Sequence, residues 1–127
     1  MIVAGVGSRT DISAEEIEQV VRLALDMFKL PVERLNALAT ESAKAAEPAF
    51  VEAARRLAVT LTGCTLDELD RVAGRVLTPS KLVLETKGVP SIAEASALVA
   101  AGPDARLLGT RVASARATCA IAIGAGR

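Results

Sequence analysis

Apolar residues begin close to the start of the chain, where Ile2, Val3, Ala4 and Val6 predict a short buried strand. Ile17, Val20, Val21, Ala24, Leu25 and Phe28 then recur at helical spacing and form one apolar stripe. Ser13 with Glu16 makes a capping box at its start, Ile12 can pack on Ile17 as a staple, and Pro31 closes the helix. Leu35 to Thr40 predicts a second strand, Pro48 opens a helix running to about Leu57, and Ala58 to Leu61 predicts a third strand. Thr65 with Glu68 repeats the capping signature before a helix to about Ala73. Periodicity is lost around Gly74 to Lys81, and Leu82 to Thr86 predicts a fourth strand. Ser91 with Glu94 caps a helix with Ile92, Ala95, Leu98 and Val99 facing inward, which Gly102 and Pro103 stop. The tail, Ala105 to Arg111 and Ala117 to Ile123, predicts two strands joined by a short basic turn.

Strands alternating with helices predict an α/β fold, a three-layer sandwich with a mostly parallel mixed sheet. The last two strands have no helix between them, so they are expected to form a C-terminal antiparallel hairpin. At 127 residues the chain is expected to be a single domain, 1–127, with a core that needs no metal or disulfide.

Composition narrows the chemistry. Hydrophobic residues make up 51% of the chain, which argues against disorder. No apolar run reaches the roughly 20 residues of a membrane span, and no basic-then-apolar leader precedes the first strand, so a cytoplasmic protein without a membrane partner is expected. Cys64 and Cys119 lack metal-ligand spacing and are expected to be reduced and structural. There is no His, which removes the commonest general base near neutral pH and the commonest metal ligand; no metal or cofactor is expected. With no Trp or Tyr, two Phe, and fifteen basic residues against fifteen acidic ones, a nucleic-acid partner is not expected either. The balance hides an asymmetry: residues 11–52 hold nine acids and four bases, whereas residues 105–127 hold Arg106, Arg111, Arg116 and Arg127 and no acid. The C-terminal end therefore favours an anionic partner.

The segments that follow strands in such a sheet are where ligands bind. Gly5 and Gly7 carry no Cβ to block a close approach, and Ser8, Arg9 and Thr10 precede the helix start at Ser13; this arrangement suits an anion. The same glycines serve equally in a tight turn without a ligand, and Thr10 breaks the dinucleotide fingerprint G-x-G-x-x-G. After the second strand come Thr40, Glu41, Ser42 and Lys44, with Glu47 before Pro48; Lys87, Gly88 and Ser91 follow the expected fourth strand. Arg111, Ser114 and Arg116 occupy the basic turn, either as ligand contacts or as solvated charges. The ligand-binding candidates are thus Gly5, Gly7, Ser8, Arg9, Thr40, Ser42, Lys44, Arg111, Ser114 and Arg116. Lys44 and Glu47, three apart, are the acid/base candidates if there is catalysis. Cys64 has no His to activate it, and Cys119 alternates with Ala117 and Ile121 as a core position.

These residues resemble a known family. Gly5-Val-Gly-Ser-Arg9 followed by Ser13-Ala-Glu-Glu-Ile17 is similar to the opening of the CobE proteins and of the C-terminal domain of CbiG, both of cobalamin (vitamin B12) biosynthesis. The likeness continues through Leu38-Ala-Thr-Glu-Ser-Ala-Lys44-Ala-Ala-Glu47-Pro48, Gly88-Val-Pro-Ser-Ile-Ala-Glu94-Ala and Ala117-Thr-Cys-Ala-Ile-Ala122. Two positions depart from the family: Ala46 stands where an acid is frequent before the Glu, and Ser8 where a Cys is frequent. The resemblance implies a protein of the aerobic pathway that binds a precorrin or a tetrapyrrole like hydrogenobyrinic acid, a flexible macrocycle fringed with carboxylates. Its alternatives are a hydrolase or isomerase acting on a precorrin, with the cobalt-precorrin-5A hydrolysis of CbiG as precedent, or a docking module for another cobalamin-pathway enzyme.

Overall fold

The computed structural model describes all residues, 1–127. Strand β1 (Ile2–Ser8) leads to α1 (Ala14–Met27), a 3-10 turn (Val32–Arg34) and β2 (Ala37–Glu41). The short α2 (Ser42–Ala45), α3 (Pro48–Leu57), β3 (Thr60–Cys64) and α4 (Leu66–Arg71) follow. After a second 3-10 turn (Ala73–Arg75) come α5 (Lys81–Lys87), α6 (Ile92–Ala101), β4 (Arg106–Leu107), β5 (Val112–Ala113) and β6 (Ala117–Ile123). The sheet has the order β3-β2-β1-β6-β4, with β5 also pairing β6. β1, β2 and β3 are parallel; β6 runs antiparallel to β1, β4 and β5. The sheet is thus mixed and flanked by helices, and the chain ends in antiparallel pairing as expected, but the strand expected over Ala105 to Arg111 is replaced by two short ones, β4 and β5, which each pair β6.

Strand alternation sorts the side chains by size. Ile2, Ala4 and Val6 of β1, Leu38 of β2, and Cys119 and Ile121 of β6 face the apolar stripe of α1 and the buried Phe50, Ala53 and Leu57 of α3. The opposite face presents Val3, Ala37, Ala39, Ala120 and Ala122 to α6, which itself contributes Ala93, Ala97, Leu98, Ala100 and Ala101. One face is built from large residues and the other almost entirely from alanine. Small side chains let α6 lie directly on the sheet. A Cβ at Gly5 would collide with the Ala93 carbonyl oxygen and meet Ala97 N at 2.6 Å.

Gly5 and Gly7 therefore lie inside β1, not in a turn after it, and neither has a positive φ. Their missing side chains admit a helix. α6 is buried nearly all round, which explains why its inward face extends well beyond the four residues that helical spacing picks out.

Helix starts were legible. Glu16 N donates to Ser13 Oγ at 3.1 Å and Ser13 N to Glu16 Oε1 at 3.0 Å, and Thr65 with Glu68 repeats the exchange. At Ser91 only half the box forms, because the buried Glu94 carboxylate turns instead to Thr78, accepting from its N at 2.9 Å and its Oγ1 at 2.8 Å. The expected fourth strand, Leu82 to Thr86, is the helix α5, capped by Ser80 Oγ accepting from Val83 N and ended by Gly88 at φ 77. A short apolar run does not distinguish strand from helix. The segment pairs with no strand of the sheet, and α5 buries none of its residues.

Gly5→Ala tests the close helix approach. Because the obstructing atoms are backbone, the substitution should destabilise the protein by about 1–3 kcal/mol, whereas Gly74→Ala, where an added Cβ meets nothing, should not. Urea unfolding of both variants reads this directly; equal midpoints would remove the packing account of Gly5.

Candidate functional site

The carboxyl ends of β1 and β2 open into a cavity of about 620 Å³. Four segments wall it. Gly7 to Thr10 leave β1; Thr40, Glu41 and Lys44 leave β2; Ser80 to Lys87 bring α5; and Arg111 with residues 114–118 bring the hairpin. β6 supplies the last wall because its antiparallel register places Ala117 opposite Ser8, so the hairpin turn sits at the same end as the β1 loop. Ile92, at the first turn of α6, contributes an apolar side chain from below.

Five basic side chains line the cavity (Arg9, Lys44, Lys87, Arg111 and Arg116) against one acid, Glu41. Two of the five are committed. Lys87 lies 3.1 Å from the nearly buried Glu41 carboxylate, and Arg116 lies 3.2 Å from Glu16. Arg9, Lys44 and Arg111 form no ion pair, which leaves three cations for a ligand. Lys44 lines the cavity although it is only 8% exposed. Burying a cation without a counter-charge is costly, and an incoming anion relieves that cost.

Hydroxyl groups complete the lining. Thr40 Oγ1 donates to the Val6 carbonyl at 2.7 Å beneath the floor, tying β2 to β1. Ser114 Oγ donates to the Ala117 carbonyl at 3.2 Å within the hairpin turn. Ser8 Oγ is buried and has no partner at all, an unmet hydrogen-bonding group in the cavity wall. α5 supplies the apolar side with Leu82 and Val83; Leu82 is 69% exposed, the most accessible large apolar side chain in the chain.

Of the ten ligand-binding candidates, the cavity gathers eight: Gly7, Ser8, Arg9, Thr40, Lys44, Arg111, Ser114 and Arg116. Gly5 lies deeper in β1 under α6, and the exposed Ser42 lies beside Gly63 of β3; neither is part of the lining. Glu47 is the residue before α3 and is also outside the cavity. The acid that shares the cavity with Lys44 is Glu41. Glu41, named after the second strand but not among the acid/base candidates, ends β2 next to Thr40, which carries it to the cavity floor. Lys87, named in the segment after the expected fourth strand, does line the cavity, whereas Leu82 and Val83 were assigned to that strand and reach the cavity only because the segment is a helix. No group of three or more acidic or cysteine side chains is placed to hold a metal ion, and no helix is long and apolar enough to cross a membrane.

The pattern described as cobalamin synthesis G C-terminus matches residues 2–122. Protein CobE of Sinorhizobium sp. is 34% identical over 121 residues, covering 95% of this chain and 79% of that protein. Among solved structures, CobE, a protein from the cobalamin (vitamin B12) biosynthetic pathway, superposes with a TM-score of 0.92 at 30% identity, covering 100% of this chain and 92% of that one. Cobalamin biosynthesis protein chiG from Agrobacterium tumefaciens gives a TM-score of 0.74 at 37% identity, covering 98% and 99%. A cobalamin biosynthesis protein G homolog from Sulfolobus solfataricus gives 0.73 at 28% identity, covering 95% of this chain and 36% of its own longer one.

The thiols stand apart from the cavity. Both are buried. Burial pushes Cys64 up to about 11, with Glu68 adding to the rise and Arg127 opposing it, and burial raises Cys119 further still. Neither should react with a disulfide reagent at pH 8 in the folded protein, and both should react in urea. A thiol whose folded pKa is raised contributes full stability below its unfolded value of about 8.5, and that contribution drains away as pH climbs toward the folded value. The unfolding midpoint should accordingly fall between pH 9 and about 11, and Cys64→Ala should flatten the fall. Rapid labelling of the native protein at pH 8 would contradict this.

Proposed function

We propose, from the premise that this chain belongs to the cobalamin synthesis G C-terminus family, that its cavity binds a carboxylate-fringed corrin-ring intermediate of cobalamin biosynthesis. The observation that carries this reading is the convergence of three cations without ion-pair partners, Arg9, Lys44 and Arg111, on one cavity with an apolar side. Guanidinium groups bind carboxylates bidentately, and dispersed donors suit a ring whose acids are spread around its edge. Leu82, Val83 and Ile92 offer the apolar surface that the ring itself requires. Because the cavity is open, part of the macrocycle rests inside and the remaining side chains stay in solvent. The absence of His leaves cobalt without an imidazole from this chain, which suits a metal-free intermediate such as hydrogenobyrinic acid.

A second reading has one observation in its favour. Glu41 and Lys44, both nearly buried, line the same cavity, which is the arrangement of an acid/base pair acting on a bound precorrin as hydrolase or isomerase. Turnover by the protein alone, abolished in Glu41→Gln and in Lys44→Met, separates this from binding without chemistry.

The test is an absorption titration of the purified protein with hydrogenobyrinic acid. Saturable binding at micromolar concentration is expected, weakening as salt rises. Arg9→Gln and Lys44→Met should each weaken it by about tenfold, since one charge-assisted contact is worth roughly 1.5 kcal/mol. No spectral change and no co-elution at micromolar concentration would overturn the proposal.

A further inference from the structure

We infer that Arg116 is a positioning residue of the cavity, holding the loop after β1 in the conformation that presents Arg9, rather than a donor to the ligand. The inference rests on the reading that the cavity binds a carboxylated ring. Arg116 lines the cavity and carries a charge, so on sequence it counts among the ligand contacts. Three of its five N–H donors are engaged within the protein, all of them on the terminal nitrogens. Nη1 donates to Glu16 Oε1 at 3.2 Å, and Nη2 donates to the Thr10 carbonyl at 2.9 Å and the Asp11 carbonyl at 3.1 Å. Its own carbonyl accepts from Arg9 N at 3.1 Å. One residue of the hairpin turn thus grips the loop from both sides.

The loop needs this grip. Asp11 sits at φ 62, a left-handed conformation that Asp tolerates better than most residues other than glycine but that still favours a loop held by its surroundings. Two carbonyls in succession, at Thr10 and Asp11, converge on one nitrogen, and the planar fork of Arg spans them while its other nitrogen reaches Glu16. Glu16 is itself fixed, because its carboxylate also accepts from Ser13 N as the returning half of the capping box. That backbone bond first, and the Arg116 guanidinium after it, hold the Glu16 carboxyl below the ordinary carboxylate range. The chain of contacts runs from the helix cap through Arg116 to the loop. Arg9, exposed and unpaired, is the side chain that this scaffold delivers to the cavity rim.

A double-mutant cycle separates positioning from contact. Affinity for hydrogenobyrinic acid is measured by absorption titration for the wild type, Arg9→Gln, Arg116→Gln and the double variant. Arg9→Gln and Arg116→Gln should each weaken binding by about tenfold, and the double variant should be no weaker than Arg9→Gln within about twofold. Arg116→Lys should fail to restore affinity, because an ammonium cannot serve three separated acceptors in one plane. Multiplied losses in the double variant, or rescue by Lys, would assign Arg116 to the ligand and overturn the inference; so would unchanged affinity in Arg116→Gln. Should Arg116→Gln not fold, Arg116→Lys and Glu16→Gln carry the same cycle. A ligand-free readout keeps the two proposals apart: the heteronuclear 15N NOE across residues 9–11 should drop in Arg116→Gln. A wild type that does not bind the probe defeats the functional reading alone, while an unchanged NOE defeats this one.

Discussion

The contact on which the rest depends is the approach of α6 to β1. Gly5 leaves no Cβ between the strand and the Ala93 and Ala97 backbone, and Gly7 does the same near Ile92 at the helix start. Alanines on β2, β6 and α6 extend that closeness across the sheet. A helix seated this near cannot shift without backbone collisions, so its first turn is fixed at the carboxyl end of β1. That places Ile92 in the cavity wall. It also buries Glu94, whose carboxylate then holds Thr78, and Ser80 N donates to the Pro90 carbonyl at 2.7 Å. Through these bonds the packing of α6 reaches the base of α5.

The charge of the cavity arises from topology. Arg9, Lys44 and Arg111 belong to segments far apart in sequence, yet β1 lies between β2 and β6, so the loops after β1 and β2 share one end of the sheet. The antiparallel entry of β6 adds the hairpin turn to that same end. Two of the five cations are neutralised by Glu41 and Glu16, and these pairs do structural work, one binding α5 to the floor and the other binding the hairpin to α1. Arg9, Lys44 and Arg111 have no such partner. α5 differs from every other helix of comparable length here, with its apolar side chains left accessible above a charged floor.

Much of the fold was legible because it is local. The stripe from Ile17 to Leu25, the boxes at Ser13 and Thr65, and Pro48 at the start of α3 each encode an element through neighbouring residues, and each stands in the structure. Leu82 to Thr86 was not legible, since five residues of apolar and mixed character carry no period long enough to separate strand from helix. Glu94 was legible as a capping residue, and its real partner, Thr78, lies in a segment without pattern. The glycines of β1 were correctly singled out for close approach, but the approaching body is α6, a segment some ninety residues later that no local signal connects to them.

The sequence by itself determined the α/β class, the positions of most helix starts, the basic character of the hairpin, and the family likeness, because periodicity, caps and charge are properties of neighbouring residues. Only the tertiary structure decided which charges are free. Arg116 and Arg9 look alike along the chain, and their difference comes from Glu16 and two carbonyls standing within reach of one guanidinium and not the other. An ion pair is a matter of distance across the fold, and distance is what a linear chain does not carry until its strands are placed side by side.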